Sequence, residues 1–331
     1  MDDIFLGVDA GGTKTHAAVI DRSGRILGLG VASTGNWERV GLEESGKALL
    51  SAIDHALQES ALDRRNIVGA TLALAGIDWE SDRQLMKKVV NTFGLSCEPV
   101  IVNDAFAVLY AGTSDGIGCA SIAGTGGKTV ASDGTRELQT LGMAVGEGGG
   151  AGQIVSEGLR VIAEMYHGQR PITNLSYELL AASGHTSIES LFQAIARDGF
   201  EITEALSPFF FDLAHVGDKA AVEVIQTVAR QHARDVIGIV RGLDFGDKPV
   251  KLVRAGGLHT ASSASFNEAF NETIARSGIS FESEVLEVVP VVGSLIHAAK
   301  NNSGEFKNNF RDRLFEDALK RDSDFRTTTQ K

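Results

Sequence analysis

The sequence predicts an α/β protein built from two lobes, and three observations lead to this prediction. The chain has 331 residues, more than one typical core needs and enough for two domains. Its 38 glycines form clusters that follow short apolar runs, which is typical of turns at the ends of strands. The strand and helix patterns of the first third also begin again in the second half. Each lobe is therefore expected to open with a hairpin closed by a glycine-rich turn.

Lobe one is predicted to span residues 1–115, with the boundary between the lobes near 113–116. Short apolar runs separated by turn residues predict its strands, and apolar residues at three- and four-residue spacing predict its helices. The predicted strands are 4–9, 15–21, 25–32, 67–75 and 99–102, and the predicted helices are 42–62 and 82–93.

Lobe two is predicted to span residues 116–289 and to repeat this order. Its predicted strands are 117–122, 128–131, 250–254 and 285–288, and its predicted helices are 153–166, 187–196, 218–243 and 265–275. Pro290 suits the first turn of a helix that continues to residue 300 and is expected to join lobe one. The remaining residues, 301–331, form a polar C-terminal tail with one amphipathic stretch at 310–319.

Composition and charge exclude several classes of function. A formal net charge of −12 argues against a nucleic-acid partner, which would need a clustered basic face. The longest apolar runs are too short to span a membrane, and the acidic start lacks the features of a secretory signal, so a cytoplasmic location is expected. Two cysteines cannot form a disulfide framework or a four-cysteine zinc site.

The first glycine cluster, residues 7–15, ends one strand with an acid and turns back into the next. Gly11 and Gly12 can present consecutive backbone N–H groups to an anion, because no side chain stands in the way. Asp9 is suited to orienting Mg²⁺ through water, since this ion keeps much of its hydration. The alternative is a plain hairpin turn without a ligand.

A second turn of the same kind, residues 124–127, stands at the start of lobe two. Its continuation through Lys128 and Thr129 looks like a phosphate-binding P-loop, but position 122 is an isoleucine and the following residues read as a strand. Residues 146–151 match the loose dinucleotide fingerprint of a nicotinamide-dependent oxidoreductase. That match is weak because the segment is mostly glycine and no clear strand precedes it.

Five motifs occur in a recognisable order along the chain. They are the turn at 7–15, Asn103-Asp104-Ala105 after a strand, the turn at 122–129, Arg254-Ala255-Gly256-Gly257-Leu258 after a strand, and Val292-Gly293-Ser294-Leu295 in a late helix. Together they resemble the actin/hexokinase/Hsp70 ATPase superfamily, and within it the BadF/BadG/BcrA/BcrD-type branch that contains N-acetylglucosamine kinase. The resemblance implies two ribonuclease H-like, actin-like ATPase lobes with a central nucleotide cleft. The related ROK sugar kinases carry a cysteine-rich zinc motif that is absent here.

The resemblance also implies roles for individual residues. The residues that it assigns to ATP are Gly11, Gly12, Thr13, Lys14, Gly124, Thr125, Gly126, Gly127, Gly256 and Gly257. It assigns Asp9 to Mg²⁺ and makes Asp104 the general base that accepts a proton from the attacking hydroxyl. Without the motif, Asp104 would be interpreted as the N-cap of a helix.

On the sugar side, residues 33–37 resemble the family's Ser-Thr-Asn-His-Trp stretch, which suggests Asn36 as a ligand. Residues 73–78 resemble a loop beside the sugar, with Gly76 and Asp78 near its end. The resemblance adds Asp104 and Glu147 as sugar contacts. In the family's Gly-Trp-Gly…Gly-Asp-Glu-Gly segment, however, Leu141 replaces the Trp and Glu147 replaces the Asp. These changes leave specificity for N-acetylglucosamine open.

The resulting hypothesis is a kinase that uses ATP and Mg²⁺ to phosphorylate an amino sugar or hexose, such as N-acetylglucosamine or glucosamine, at its 6-hydroxyl. The alternative is an ATPase that acts as a nucleotide-driven activator of a partner enzyme. Activators of this branch bridge two subunits through a cysteine-bound iron–sulfur cluster, whereas Cys97 and Cys119 are expected to be buried small hydrophobes. A homodimer is a further expectation from the family.

Overall fold

A computed structural model describes residues 3–141, 149–200, 203–260, 264–302 and 309–326. Its internal contacts divide the chain into two compact units. Unit 1 comprises Met1–Ala120, Val130–Glu137 and Leu286–Lys331, and unit 2 comprises Ser121–Thr129 and Leu138–Val285. The contacts thus group residues 116–120, 130–137 and 286–289 with unit 1, whereas the sequence assigns them to lobe two.

Short strands follow the apolar runs that the sequence shows. In chain order they are β1 (Ile4–Ala10), β2 (Lys14–Asp21), β3 (Ile26–Ser33), β4 (Ile67–Leu74), β5 (Val100–Asn103), β6 (Gly118–Ala123), β7 (Gly127–Ser132), β8 (Glu137–Gln139), β9 (Val250–Ala255) and β10 (Phe281–Val285). They form two five-stranded sheets of order β3-β2-β1-β4-β5 and β10-β9-β6-β7-β8. If the second order is reversed, the two sheets have the same arrangement, so the predicted α/β class with a repeated lobe is confirmed.

The helices fill the connections and the C-terminal region. In chain order they are α1 (Trp37–Ser60), α2 (Glu80–Val90), α3 (Ala105–Gly112), α4 (Ala151–Tyr166), α5 (Asn174–Ser183), α6 (Ile188–Arg197), α7 (Ser207–His215), α8 (Lys219–Arg241), α9 (Gly257–Thr260), α10 (Ala264–Ala275), α11 (Val291–Asn301), α12 (Phe310–Lys320) and α13 (Asp322–Arg326). Within the described ranges, none of these helices is both long and apolar enough to cross a membrane.

The core of unit 1 lies on both faces of its sheet, because alternate residues of a strand point to opposite sides. On one face, Leu6 and Val8 pack in a cluster with Leu49 and Ile53 of α1. On the other face, Phe5 belongs to a second cluster, which includes residues of α11, α12 and α13. The sheet is therefore covered by helices on both sides, which fixes the ends of β1, β4 and β5.

One predicted strand is misplaced, and several elements, α3, α5, α7 and β8, were not predicted. The strand predicted at 285–288 lies instead at β10, residues 281–285, where it pairs in parallel with β9. The polar composition of β10 does not give the apolar pattern from which strands are predicted. Val288, which the prediction placed in this strand, belongs instead to the apolar cluster of unit 1 around α11. Helix α3 has no counterpart in the prediction, since its eight buried residues form a continuous apolar run that shows no helical period.

Candidate active site

The ends of three parallel strands bring the predicted residues of unit 1 to one edge of its sheet. In the registers of β1 with β4 and of β4 with β5, Ala10 lies beside Leu74, and Leu74 lies beside Asn103. The backbone N–H groups of Ala75 and Asp104 continue this row by donating to the carbonyls of Ala10 and Leu74. The carboxyl ends of parallel strands are where open α/β sheets bind ligands, so this row is the candidate site of unit 1.

The turn between β1 and β2 is closed by a hydrogen bond from the N–H of Gly11 to the carbonyl of Lys14, 3.0 Å long. Two residues that follow β3 brace it. Thr34 Oγ1 donates to the carbonyl of Gly11 over 3.0 Å, and Arg39 Nη1 donates to the carbonyl of Gly12 over 3.1 Å. These bonds occupy carbonyl groups of the turn and bring an exposed guanidinium beside it.

Asp9 is the penultimate residue of β1, next to this turn, and its side chain is 14% exposed. Its carboxylate lies 3.9 Å from Nδ1 of His16, its partner across the hairpin. His16 Nε2 contacts the carbonyl of Phe325 in α13 over 2.8 Å, and Lys14 Nζ donates to the same carbonyl over 3.3 Å. The ammonium of Lys14 is thus bound to the C-terminal helix.

Asn103 connects the carboxylate of Asp78 to the start of α3. Its side chain is buried, and its Nδ2 donates to Asp78 Oδ1 over 3.1 Å and to the carbonyl of Ile77 over 3.3 Å. Its Oδ1 accepts from the N–H of Ala105 over 3.0 Å, which caps the start of α3. Asp104 occupies the N-cap position of α3, but its carboxylate makes no capping hydrogen bond. The capping role that the sequence offers for Asp104 is therefore filled by Asn103.

The two loops predicted beside the sugar contact each other. Asn36 caps α1, with its Oδ1 accepting from the N–H of Glu38 over 2.9 Å, so the amide NH₂ points elsewhere. Trp37 Nε1 donates to the carbonyl of Gly76 over 2.6 Å. Gly76 has φ +80° and a side chain there would lie 3.0–3.1 Å from Asn36, Trp37 and Glu38, so glycine is required. The structure therefore brings Asn36, Gly76, Asp78 and Asp104 to one edge of unit 1.

In unit 2, the turn between β6 and β7 is closed by the N–H of Gly124 donating to the carbonyl of Gly126 over 3.0 Å. The start of α4 packs on this turn. The N–H groups of Ala151 and Gly152 donate to the carbonyls of Gly124 and Thr125 over 2.8 and 3.1 Å. A side chain at Gly150 would meet the Cα of Gly126 at 2.5 Å, so the two backbones touch.

The turn after β9 packs on the same segment. Gly256 has φ +94°, and a side chain there would meet the backbone of Ala123 at 2.4 Å. By contrast, side chains at Gly124, Gly126 and Gly257 would meet none of the described residues within 4 Å, and one at Gly12 would make only an ordinary contact with Arg39. None of these four glycines has a positive φ, so their backbone conformation does not by itself require glycine. Packing in unit 2 therefore explains why positions 150 and 256 are glycine, but it does not explain the glycines at 124 and 126.

A buried polar cluster lies beneath these turns. Ser121 Oγ, three residues before Gly124, contacts His232 Nε2 of α8 over 2.8 Å and His259 Nε2 of α9 over 2.9 Å. Burial, reinforced by repulsion from His232 and Arg254, lowers the pKa of His259 to about 2, so this ring is neutral at physiological pH. The cluster joins β6, which leads into one turn, to α9, which follows the other.

The segment that looks like a P-loop is part of a strand. Residues 127–132 form strand β7, and Lys128 donates to the carbonyl of Thr140, so the rejection of a P-loop is confirmed.

Cys119 is fully buried as expected, whereas Cys97 is only partly buried against the core of unit 1. Glu147 lies outside the described residues. Within the ranges described, no group of three or more His, Cys, Asp or Glu could hold a metal ion.

Sequence reasoning missed three residues that shape the site: Thr34, Trp37 and Arg39. Thr34 and Trp37 lie inside the stretch that carries the family resemblance, so their presence was visible but their contacts were not. Arg39 lies in the first turn of α1, where a lone arginine gives no motif. Only the fold, which places α1 directly after β3, brings its guanidinium to Gly12.

Comparisons with known proteins are consistent with this geometry. The sequence profile of the BadF/BadG/BcrA/BcrD ATPase family matches residues 6–298. The chain is 28% identical over 274 residues to the N-acetyl-D-glucosamine kinase of Dictyostelium discoideum, covering 77% of this chain and 85% of that protein. It is 24% identical over 264 residues to the N-acetylmuramic acid/N-acetylglucosamine kinase of Clostridium acetobutylicum, covering 76% of this chain and 84% of that protein.

The fold is also that of a solved structure, a candidate N-acetylglucosamine kinase from Chromobacterium violaceum. The two superpose with a TM-score of 0.69 at 20% sequence identity, and the match covers 89% of this chain and 98% of that one. The fold is thus the one that the sequence resemblance implies.

Proposed function

The chain belongs to the BadF/BadG/BcrA/BcrD ATPase family, and from this membership we propose that its reaction is transfer of the γ-phosphoryl group of ATP to the 6-hydroxyl of an N-acetylated amino sugar. It is an ATP-dependent carbohydrate kinase, as its relatives from Dictyostelium discoideum and Clostridium acetobutylicum are named. The observation that carries the proposal is the edge of unit 1, where the ends of β1 and β4 and the residue after β5, Asp104, lie side by side.

Asp104 is the proposed general base. It follows β5 directly, its backbone is held by Leu74, and its carboxylate is not used to cap α3. In the reaction, this carboxylate accepts the proton of the sugar hydroxyl as the hydroxyl oxygen bonds to the γ-phosphorus and ADP leaves. The hydrogen bonds of Asn103 to Asp78 and to the N–H of Ala105 fix the position of this segment. They therefore hold Asp104, the proposed base, in place.

The glycine-rich turns are the proposed contacts for the phosphates of ATP. In unit 1, these are Gly11, Gly12 and Thr13, with Arg39 as an added source of positive charge. In unit 2, they are the residues of the turn at 124–127, while Gly256 and Gly257 are proposed to face the adenosine part. The argument for Gly124 and Gly126 is that a side chain at either position would meet none of the described residues, so packing among those residues does not require glycine there.

Lys14 is a further proposed contact of the nucleotide. Its ammonium would have to leave the carbonyl of Phe325 to reach a phosphate.

Asp9 is the proposed residue for Mg²⁺. The donor set fits this ion, because Mg²⁺ is commonly held by one or two carboxylates, water and the phosphates of the substrate rather than by a cage of side chains. Asp9 supplies one such carboxylate at the end of β1, and its largely buried side chain lies beside the turn at Gly11 and Gly12. When bound, the ion would neutralise charge on the transferred phosphoryl group.

The proposed sugar contacts are Asn36, Gly76, Asp78 and Glu147. The NH₂ of Asn36 is a donor for a hydroxyl or an N-acetyl carbonyl, because its oxygen is already used to cap α1. Asp78 supplies a carboxylate that Asn103 orients. Glu147 and Leu141, which replace an Asp and a Trp of the family, are proposed to set the choice between N-acetylglucosamine and other sugars.

Release of ADP from the purified protein, measured against a panel of sugars with Mg²⁺ and ATP, tests the kinase assignment. N-acetylglucosamine and related amino sugars are expected to stimulate release far above the rate without sugar. Two-dimensional ¹H–³¹P NMR of the product then identifies the acceptor, with coupling to the C6 protons expected. If ATP is hydrolysed slowly and no sugar accelerates it, the alternative of a nucleotide-driven activator is favoured instead.

We also propose a homodimer and a cytoplasmic location. Unit 2 carries exposed apolar side chains that a second copy could cover, among them Ile172, Tyr177 and Val216, which are 56%, 62% and 74% exposed. Light scattering coupled to size-exclusion chromatography should give the mass of two chains. A cytoplasmic location would supply the enzyme with ATP.

A further inference from the structure

Unit 2 contains a groove lined by four arginines, between helices α8 and α10. It has a volume of about 410 Å³ and is lined by Arg230, Arg234, Ile237, Gly238, Arg241, Thr273, Arg276 and Ser277. Positions 230, 234, 238 and 241 share one face of α8, since residues three and four apart lie above one another on a helix. Gly238, whose side-chain position is open, leaves free space between the arginines.

The positive charge of this groove contrasts with the chain as a whole, which has a net charge of −12. Its described lining contains no carboxylate. Arg276 pairs with Glu272, but Arg230 donates to the amide oxygen of Gln226, and Arg241 donates to the carbonyl of Ser277. Among the described residues, Arg234 has neither an ion pair nor a hydrogen bond.

Bringing these cations together has an electrostatic cost, because like charges one helical turn apart repel each other. An anion bound between them would remove that cost. Guanidinium groups bind phosphate oxygens in pairs through their planar forks, which makes arginine the preferred residue for phosphate recognition. The hydrogen bonds to Gln226 and Ser277 hold two of these groups in place before any ligand arrives.

We propose that this groove binds the phosphate group of a small phosphate ester, of the size of a phosphorylated sugar. The volume lies in the range typical of small-molecule sites, about 300–1,000 Å³. A nucleic acid is disfavoured, because a polyanion would extend beyond the groove over a protein surface of net negative charge. The groove residues are distinct from the turns at 124–127 and 256–257, so the site is additional to the one proposed for ATP.

Calorimetric titration of the full chain tests this proposal. The non-hydrolysable ATP analogue AMPPNP and N-acetylglucosamine are kept saturating, so that the proposed active site is occupied. The probes are N-acetylglucosamine 6-phosphate, inorganic phosphate and a short single-stranded oligonucleotide. The wild type is expected to bind the phosphate ester, and the double variant Arg234→Ala/Arg241→Ala should lose at least about tenfold in affinity, as expected for charge-assisted hydrogen bonds.

The matched control removes two exposed arginines of unit 1, in the variant Arg22→Ala/Arg65→Ala, and should bind as the wild type does. Inorganic phosphate binding as tightly as the ester would show that the groove recognises the phosphate alone, and tighter ester binding would show contacts to the sugar. The proposal is overturned if no phosphate probe binds to the wild type. It also fails if the groove variant and the control bind equally, or if the oligonucleotide is the preferred ligand.

Discussion

The candidate site of unit 1 consists mainly of side-chain groups, whereas that of unit 2 consists mainly of backbone groups. In unit 1, polar side chains supply the chemistry, and other side chains hold them in place, as Asn103 holds Asp78 and Thr34 braces Gly11. In unit 2, the site is almost entirely backbone, with glycines packed on glycines and the polar cluster of Ser121, His232 and His259 hidden below. Unit 1 should therefore respond to changes in chemistry, and unit 2 to changes in volume.

The largest expected effect is that of Asp104→Asn in unit 1. A positioned general base contributes a factor of about 10²–10⁴, so kcat should fall by about a hundredfold or more. The fold should persist, because the carboxylate makes no capping bond to α3. Steady-state ADP release and thermal unfolding measure the two quantities. Near-normal turnover would remove Asp104 from the mechanism.

Alanine substitutions at Asp104 and at another N-cap provide the control. Asp218 caps α8 and accepts from the N–H groups of Ala220 and Ala221 over 2.9 and 3.0 Å. Asp218→Ala should lower the free energy of unfolding by about 0.5–2 kcal/mol and leave kcat nearly unchanged. Asp104→Ala should show the reverse pattern. If both variants lose stability equally, Asp104 is a cap after all.

Two glycine substitutions in unit 2 separate packing from ligand binding. Gly126→Val places a branched side chain in open space, so the melting temperature should change little while the KM for ATP rises about tenfold or more. Gly150→Ala is a smaller change, yet its Cβ would lie 2.5 Å from the Cα of Gly126, so this variant should unfold at a lower temperature. An unchanged KM for ATP in Gly126→Val would mean that this turn does not contact the nucleotide.

Glu147 belongs to unit 2 by sequence position but is expected to act through its side chain. Glu147→Ala should raise the KM for the sugar by at least about tenfold and leave the KM for ATP nearly unchanged, because hydrogen bonds to a carboxylate discriminate strongly among sugar hydroxyls. Glu147→Asp should shift preference toward N-acetylglucosamine. Equal changes for every sugar tested would contradict a role in the sugar pocket.

The smallest effects are expected from two buried serines, which form a matched pair. Ser121→Ala leaves two histidine nitrogens without their shared hydroxyl, whereas Ser45→Ala releases the carbonyl of Gly35, the neighbour of Asn36. Each change should cost about 1–3 kcal/mol of stability. The KM for ATP should rise a few-fold only in the first, and the KM for sugar only in the second. Parallel shifts of both KM values would indicate general loosening rather than local positioning.

Much of the fold was predictable because its strands are bounded by glycine turns. The hairpins of β1 with β2 and of β6 with β7 appear where alternation and glycine clusters place them. Helix α3 was not predictable, since a short, wholly apolar segment fits a buried helix and a buried strand equally well. Strand β10 was misplaced because three of its five residues are polar and it lies at the edge of its sheet.

For the site, the sequence could supply residue types but not their partners. Asp104 and Asn103 were visible as one motif, yet only the structure shows that the cap of α3 is the amide oxygen of Asn103 and not the carboxylate of Asp104. Likewise, glycines 124, 126 and 150 look alike in the sequence. Backbone contact distinguishes Gly150, which the fold requires, from Gly126, for which a ligand is the better explanation.

The division of roles between the units is tested most directly by one equilibrium measurement, the Kd of AMPPNP for Asp104→Asn and Gly126→Val side by side with the wild type. Asp104→Asn should bind the analogue within about twofold of the wild type, since it changes only the proton acceptor, and Gly126→Val should bind about tenfold more weakly or worse. If Asp104→Asn loses nucleotide affinity while Gly126→Val retains it, the assignment of proton transfer to Asp104 and of a phosphate contact to the turn at 124–127 is wrong.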